Sequence, residues 1–363
     1  MKRSQMAKRM AAIAVMTACS MSLAGAVPVQ AADGGSDYRI GMMIPGNLGD
    51  KSFFDAAYNS IDLLHNELGI TVDYVEAGLD SSKYYATYVD LCDQEYDLIL
   101  TVSSQGDDAL TEVAEEYPDQ KFINLDDSLE DVPENIYIMA PKNNEMSFLA
   151  GTVAALKAQE LGDKTVGFVG GMDIPGINEF LVGYIEGVQY IDPDMKVASS
   201  YVGSFTDTAK GKENALLLYD SGISIIFTAA GQSGLGVIDA AASKGKLVIG
   251  VDSDQAEALK DSQPELAETI ITSAVKNIDQ DALYIVKKAM NDDVEYGKRE
   301  LYGIKEGAVG LAQNEYYEKL MSEENRAKVD EIIEKVKAGE IEMTNTAGMS
   351  NEDLGKIIDT ARS

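Results

Sequence analysis

The sequence predicts an α/β protein of two lobes, each built on a parallel sheet with covered faces. Three observations carry this reading. Short runs of β-branched and aliphatic residues alternate with segments of helical periodicity, and this order suits parallel strands because each return to the sheet needs a crossover. The alternation comes in two series, over residues 38–139 and 165–251. Finally, 363 residues with 45% hydrophobic content are more than one core usually organises, at about 100–200 residues per domain.

The chain opens with a basic segment holding Lys2, Arg3, Lys8 and Arg9, then an apolar stretch from Ala11, and Val29-Gln30-Ala31 ahead of Ala32. A basic start, a short apolar run and small residues at an A-x-A-like site read as an export signal over residues 1–31. Thr17, Ser20 and Ser22 interrupt the stretch, which argues against a membrane-spanning helix of about 20 apolar residues. Cys19 leaves a second route open, lipid attachment at the outer face of the membrane, although Met16-Thr17-Ala18-Cys19 is a poor lipidation sequence. After cleavage Cys92 is the one remaining cysteine, so an intramolecular disulfide is not expected.

In the first series the strands are Tyr38 to Ile44, Ile70 to Val75, Leu98 to Val102, Lys121 to Leu125 and Ile136 to Met139. Between the first two, Phe54, Ala57, Ile61, Leu64 and Leu68 recur at three- and four-residue spacing, so a helix follows strand one and begins near Asp50 to Ser52. The second series has strands at Thr165 to Val169, Lys196 to Val202, Ile223 to Ala229 and Lys246 to Val251, with helices such as Asn178 to Tyr190 and Ala209 to Tyr219. Then come Glu268 to Val275, the helical run Ile278 to Met290, and Glu315 to Glu342, read as terminal helices. The chain is expected to recross between lobes there. No low-complexity segment or repeat of 20–50 residues indicates a solenoid.

Composition excludes several function classes. A formal net charge of -31 repels nucleic acid and anionic membranes. The single histidine, His65, sits on an amphipathic helix, and no H-E-x-x-H, paired C-x-x-C or EF-hand loop supplies a metal site. The run Gly231-Gln232-Ser233-Gly234-Leu235-Gly236 has a glycine order that fits neither a Walker A loop nor G-x-G-x-x-G, and no G-x-S-x-G elbow occurs. The aspartate cluster of a nucleoside hydrolase is absent after strand one, where Pro45-Gly46-Asn47-Leu48-Gly49-Asp50 stands. Beyond the leader the arginines are Arg39, Arg299, Arg326 and Arg362, none in a strand-end loop. Guanidinium clamping of phosphate or carboxylate is therefore not expected. A neutral, hydroxylated ligand fits better, bound without cofactor or catalysis.

Several strings resemble the basic membrane protein family of ABC-importer binding proteins, which includes purine-nucleoside receptors of bacterial cell surfaces. They are Asp50-Lys51-Ser52-Phe53; Ser147-Phe148-Leu149-Ala150-Gly151; Gly170-Gly171-Met172; Gly183-Tyr184; Ser204-Phe205-Thr206-Asp207; Ala230-Gly231 through Gly236; Gly250-Val251-Asp252-Ser253-Asp254-Gln255; and Thr272-Ser273-Ala274-Val275-Lys276. The resemblance spans roughly residues 38–345. It implies a type I periplasmic-binding-protein fold, with two Rossmann-like lobes joined by three crossovers and a ligand held between them. The N-terminal lobe would take residues 38–140 plus about 275–300, and the C-terminal lobe 141–274 plus about 301–363.

The resemblance also implies a site. In the family's nucleoside receptors the base lies between aromatic rings, and here Tyr58 on the first helix and Phe205 match those positions, with Phe53 and Phe54 read as core. Asp126 and Asp252 end apolar strands, and a carboxylate's two oxygens suit the vicinal hydroxyls of ribose. Lys276 would reach a sugar oxygen and balance Asp252. Gly231 falls at the cleft, and Asp50 either touches ligand or caps the helix. One departure concerns the base: the family carries two consecutive acids before Lys-Ser-Phe, and this chain has Gly49-Asp50. The implied function is an exported, monomeric binding protein that delivers a nucleoside, most simply a purine, to ABC permease and ATPase subunits. A sugar or other neutral metabolite, or a sensory role beside a membrane kinase, are the alternatives.

Overall fold

The computed structural model describes residues 37–346 and 348–362. The expected export signal, and Cys19 within it, lie outside the described residues. Among the described residues, twelve strands form two six-stranded sheets. The first contains β1 (Arg39–Ile44), β2 (Thr71–Glu76), β3 (Leu98–Thr101), β4 (Phe122–Asn124), β5 (Ile136–Pro141) and β11 (Lys298–Tyr302), in the order β11-β5-β4-β3-β1-β2. Every pairing in it is parallel. The second contains β6 (Thr165–Gly170), β7 (Lys196–Tyr201), β8 (Ile225–Ala229), β9 (Leu247–Asp252), β10 (Ile270–Lys276) and β12 (Val309–Leu311), in the order β12-β10-β9-β8-β6-β7. It is parallel except that β12 runs antiparallel to β10.

Helices cover both faces of each sheet, so β3, β4, β5 and β8 are buried at every residue. This is why those strands read as unbroken apolar runs rather than as alternation. The edge strand β2 is mostly exposed. Each lobe accordingly has two apolar layers, one per sheet face.

Three crossings join the lobes. The chain leaves the first sheet after β5 and enters the helix Asn143–Leu161, packed in the second lobe. It returns after β10 into the helix Ile278–Met290, which packs beside α1 (Phe53–Leu68). It crosses a third time between β11 and β12. The crossings are tied together: the Lys142 N–H donates to the Tyr302 carbonyl at 2.8 Å, and the Asn277 N–H to the Ala308 carbonyl at 2.8 Å. Beyond the third crossing, the helices Glu315–Leu320 and Glu323–Lys337 are followed by an irregular stretch, then the helix Asn351–Arg362.

Two residues singled out in the sequence lie away from the cleft. His65 Nδ1 lies 3.1 Å from the Ile70 carbonyl oxygen at the end of α1. Cys92 is a buried free thiol, pushed up to about 12 by burial. Among the described residues, no helix is long and apolar enough to cross a membrane.

Candidate ligand-binding site

The carboxyl ends of both sheets face one cleft, as expected for open α/β sheets, whose strand-end loops converge there. The cleft encloses about 1000 Å³ of space, its open mouth included, within the ~300–1,000 Å³ range of small-molecule sites.

At its floor, three ionisable groups from two lobes meet. Lys276, the last residue of β10, sets its Nζ 2.6 Å from Asp126 Oδ2 and 3.5 Å from Asp252 Oδ1. Burial alone would drive the ammonium toward neutrality, but the two carboxylates outweigh it and hold the lysine above its ordinary value. Burial likewise pushes Asp126 upward, against the pull of Lys276. One cation between two carboxylates leaves the cluster with surplus acceptor capacity, which is what a hydroxylated ligand requires. Asp252 itself has φ 66, a left-handed conformation that is costly for a side chain with a Cβ and that collects at functional sites.

The same region closes the lobes on each other. Ser52 Oγ, at the start of α1, donates to Asp252 Oδ2 at 2.8 Å. The Lys51 carbonyl accepts from Ser253 Oγ at 2.9 Å and from Gln255 Nε2 at 3.1 Å. The lobes therefore meet through polar groups at the cleft floor.

Above the floor are rings. Phe53 and Phe54 from α1, Phe180 from the helix Pro175–Ile191, and Phe205 from the loop after β7 all line the cavity. Lys276 Nζ stands 5.0 Å from the Phe53 ring centre and 5.2 Å from that of Phe180, within cation–π distance. The Phe205 ring lies over Gly171, where a Cβ would come within 2.4 Å of it. Gly231, with φ +53, lines the cavity in the turn that carries this loop: two residues on, the Ser233 N–H donates to the Phe205 carbonyl at 2.9 Å. Polar groups complete the wall, among them Asn47, Gln105, Gln232 and Asn143. Asn143 Oδ1 is buried with no hydrogen-bond partner, which is costly unless a ligand or water supplies a donor.

Residues 38–342 match the profile of the PnrA-like ABC transporter substrate-binding proteins, designated Bmp. The chain belongs to this family. Basic membrane protein A of Borreliella burgdorferi is 31% identical over 303 residues, covering 82% of this chain and 85% of the relative. An uncharacterized lipoprotein of Pyrococcus furiosus is 32% identical over 280 residues, covering 73% of this chain and 67% of the relative. A solved ABC transporter solute-binding protein from Aeropyrum pernix K1 superposes with a TM-score of 0.77 at 24% identity, over 90% of this chain and 98% of that one. The fold is thus that of type I periplasmic binding proteins. As a PnrA-like substrate-binding protein, the chain is an extracytoplasmic, non-enzymatic component of an ABC transporter. Its partners are a small-molecule ligand and the permease and ATPase subunits.

Of the residues singled out in the sequence of this PnrA-like protein, Asp50, Asp126, Phe205, Gly231, Asp252 and Lys276 line the cavity. Tyr58 does not: its ring packs edge-on against Tyr74 of β2, with centroids 5.0 Å apart. The reason is helical rise. Tyr58 lies one turn beyond Phe54, about 6 Å farther from the helix N-terminus that points into the cleft. Phe53 and Phe54, read as core, pack against the first lobe's core and also line the cavity. Asp50 caps α1, with Oδ1 accepting from the N–H groups of Ser52 and Asp55 and Oδ2 from that of Phe54. Burial nevertheless pushes its carboxyl up to about 6.

Sequence reasoning missed Asn143, Phe180 and Ser52. Asn143 opens its helix just after β5, where position relative to a strand end was the available signal, and Phe180 lies in the second turn of its helix, where it was not. Ser52 was read only as a helix start, because its partner Asp252 lies 200 residues away.

Proposed function

We propose that this protein captures a nucleoside between its lobes and presents it to the permease of an ABC importer. The carrying observation is that one cavity holds both an aromatic wall and a carboxylate–ammonium floor. Flat bases stack on rings, contributing about 1–3 kcal/mol per base, and two such faces supply a good share of the ~8 kcal/mol that micromolar binding needs. On this reading Phe205, from the second lobe, and Phe54, from the first, both stack on the base. The ribose diol then meets Asp252, with Lys276 donating to a ring or hydroxyl oxygen and Asn143 Oδ1 accepting a further donor. A free sugar would use the floor and leave the Phe54 and Phe205 rings without a flat partner, so the nucleoside is the better occupant. At the membrane, the protein is held by a lipid at Cys19 or released after Ala31; the Pyrococcus relative's name, a lipoprotein, favours the lipid.

The test is mass spectrometry of small molecules released from gently purified protein, then calorimetry with inosine, adenosine, guanosine, cytidine and ribose. Tight heat with at least one nucleoside and none with ribose is expected. Absence of heat with every nucleoside overturns the reading.

A further inference from the structure

A second cavity is lined by the crossings and by residues of both lobes. The first crossing contributes Lys142, the third Lys305, and β11 contributes Arg299. Glu145 and Glu179 enter from the second lobe, and the irregular stretch after the helix Glu323–Lys337 lies along its wall, with Ile341 and Met343. The space is about 1190 Å³, open mouth included, comparable with the cleft.

Its charge is unlike the rest of the molecule. The chain carries 61 acidic against 30 basic residues, whereas this cavity is lined by Lys142, Arg299, Lys305 and Lys337 against Glu145, Glu179 and Glu342. Two of the acids are engaged within the wall. Glu145 pairs with Lys142 at 2.8 Å and accepts the Ile304 N–H at 2.8 Å. Glu179 is pushed up to about 7 by burial, with the Arg299 charge opposing. Of the cations, Lys142 and Lys337 are ion-paired with Glu145 and Glu334, whereas Arg299 Nε is buried with no hydrogen-bond partner and the exposed Lys305 has no ion pair among the described residues. Arg299 donates weakly through Nη1 to the Ser128 carbonyl at 3.4 Å. In a chain with so few arginines, one guanidinium stands at the crossings with an unused donor, and guanidinium donors suit oxyanions.

We propose that this inter-crossing cavity binds a small organic anion, its carboxylate or phosphate held by Arg299 and Lys305 and its carbon frame lying against Ile341 and Met343. An occupant there touches both lobes where the chain crosses. Glu179 also adjoins Asn143, which lines the cleft, so the site is a place from which a second metabolite acts on the first. The inference does not depend on the nucleoside reading.

The experiment is thermal unfolding and calorimetry of the purified protein with succinate, citrate, glycerol 3-phosphate and inorganic phosphate, against glycerol and against potassium chloride at matched ionic strength. At least one organic anion is expected to raise the melting temperature by about 5 °C at ~100-fold its Kd, with measurable heat. Arg299→Gln and Lys305→Gln should each weaken that binding at least tenfold. Lys305 is exposed, so its variant folds even if the arginine variant does not. Equal effects of the anions and the chloride control, or full retention of binding in Lys305→Gln, would overturn the proposal; a response to inorganic phosphate alone rejects the carbon-frame contact.

Discussion

Asp50 and Asp252 look alike in the sequence, each an acid at or beyond the carboxyl end of an apolar strand, and both are buried at the same cleft. Their surroundings separate them. Asp50 takes three N–H groups from its own loop and helix, so its oxygens have at most one lone-pair position left. Asp252 takes its hydroxyl from Ser52 across the cleft and its cation from Lys276. A carboxylate satisfied by its neighbours in sequence fixes a loop, and one satisfied across lobes responds to closure and ligand. The same contrast orders the expected effects of mutation.

Lys276→Met should have the largest effect. It leaves Asp126 and Asp252 without their shared cation at the floor of the cleft, and breaking one partner of a buried charge group typically costs several kcal/mol. Nucleoside affinity is expected to fall at least 100-fold by calorimetry, with the folded state verified by circular dichroism. A loss smaller than threefold would break the distinction, because the floor would then be indifferent to ligand.

Next comes the pair itself. Asp252→Asn keeps the shape but removes a charged acceptor, and should weaken nucleoside binding about 10- to 100-fold while moving stability little, since charged hydrogen bonds carry about 1.5–3 kcal/mol. Asp50→Ala should do the reverse, lowering unfolding free energy in urea by about 1–2 kcal/mol through loss of the helix cap with a smaller change in affinity. Acid titration sharpens this. The folded Asp50 carboxyl, pushed up to about 6 from the usual value near 3.8, holds its proton more tightly than the unfolded chain does. Its contribution to stability is therefore present below about pH 4 and lost as pH rises toward 6. Asp50→Asn should flatten the decline of unfolding free energy between those values. An unchanged slope would mean that the loop does not isolate Asp50.

Strand order and helix periodicity made both lobes legible, because continuous burial writes β3, β4 and β8 as apolar runs. Lys276 and Asp252 were legible as well, being polar residues at the ends of such runs. What sequence could not reveal was orientation around a helix and use of a group by its own loop. Ser147 and Gly183, prominent in the family resemblance, serve packing: a Cβ at Gly183 would stand 2.4 Å from Ser147 Oγ. Gly49, where the family has an acid, has φ +95 with open space about its missing Cβ. Backbone conformation rather than room therefore favours glycine there, and a side chain at that position would add strain along with any contact to the base.

The smallest effect is expected at Tyr58. Sequence spacing alone makes Tyr58 and Phe54 equivalent, four residues apart on one helical face, yet only Phe54 reaches the cavity. Tyr58 meets Tyr74, itself 44% exposed on the edge strand, so its truncation removes a surface aromatic contact of about 0.5–1.5 kcal/mol and nothing from the ligand. Tyr58→Ala should change nucleoside affinity by less than about twofold, and Phe54→Ala should weaken it about tenfold, in line with stacking of ~1–3 kcal/mol. If the two variants lost affinity equally, the rings would be acting through the stability of α1 rather than through contact with a base, and the aromatic wall would have to be assigned to Phe205 and Phe180 alone.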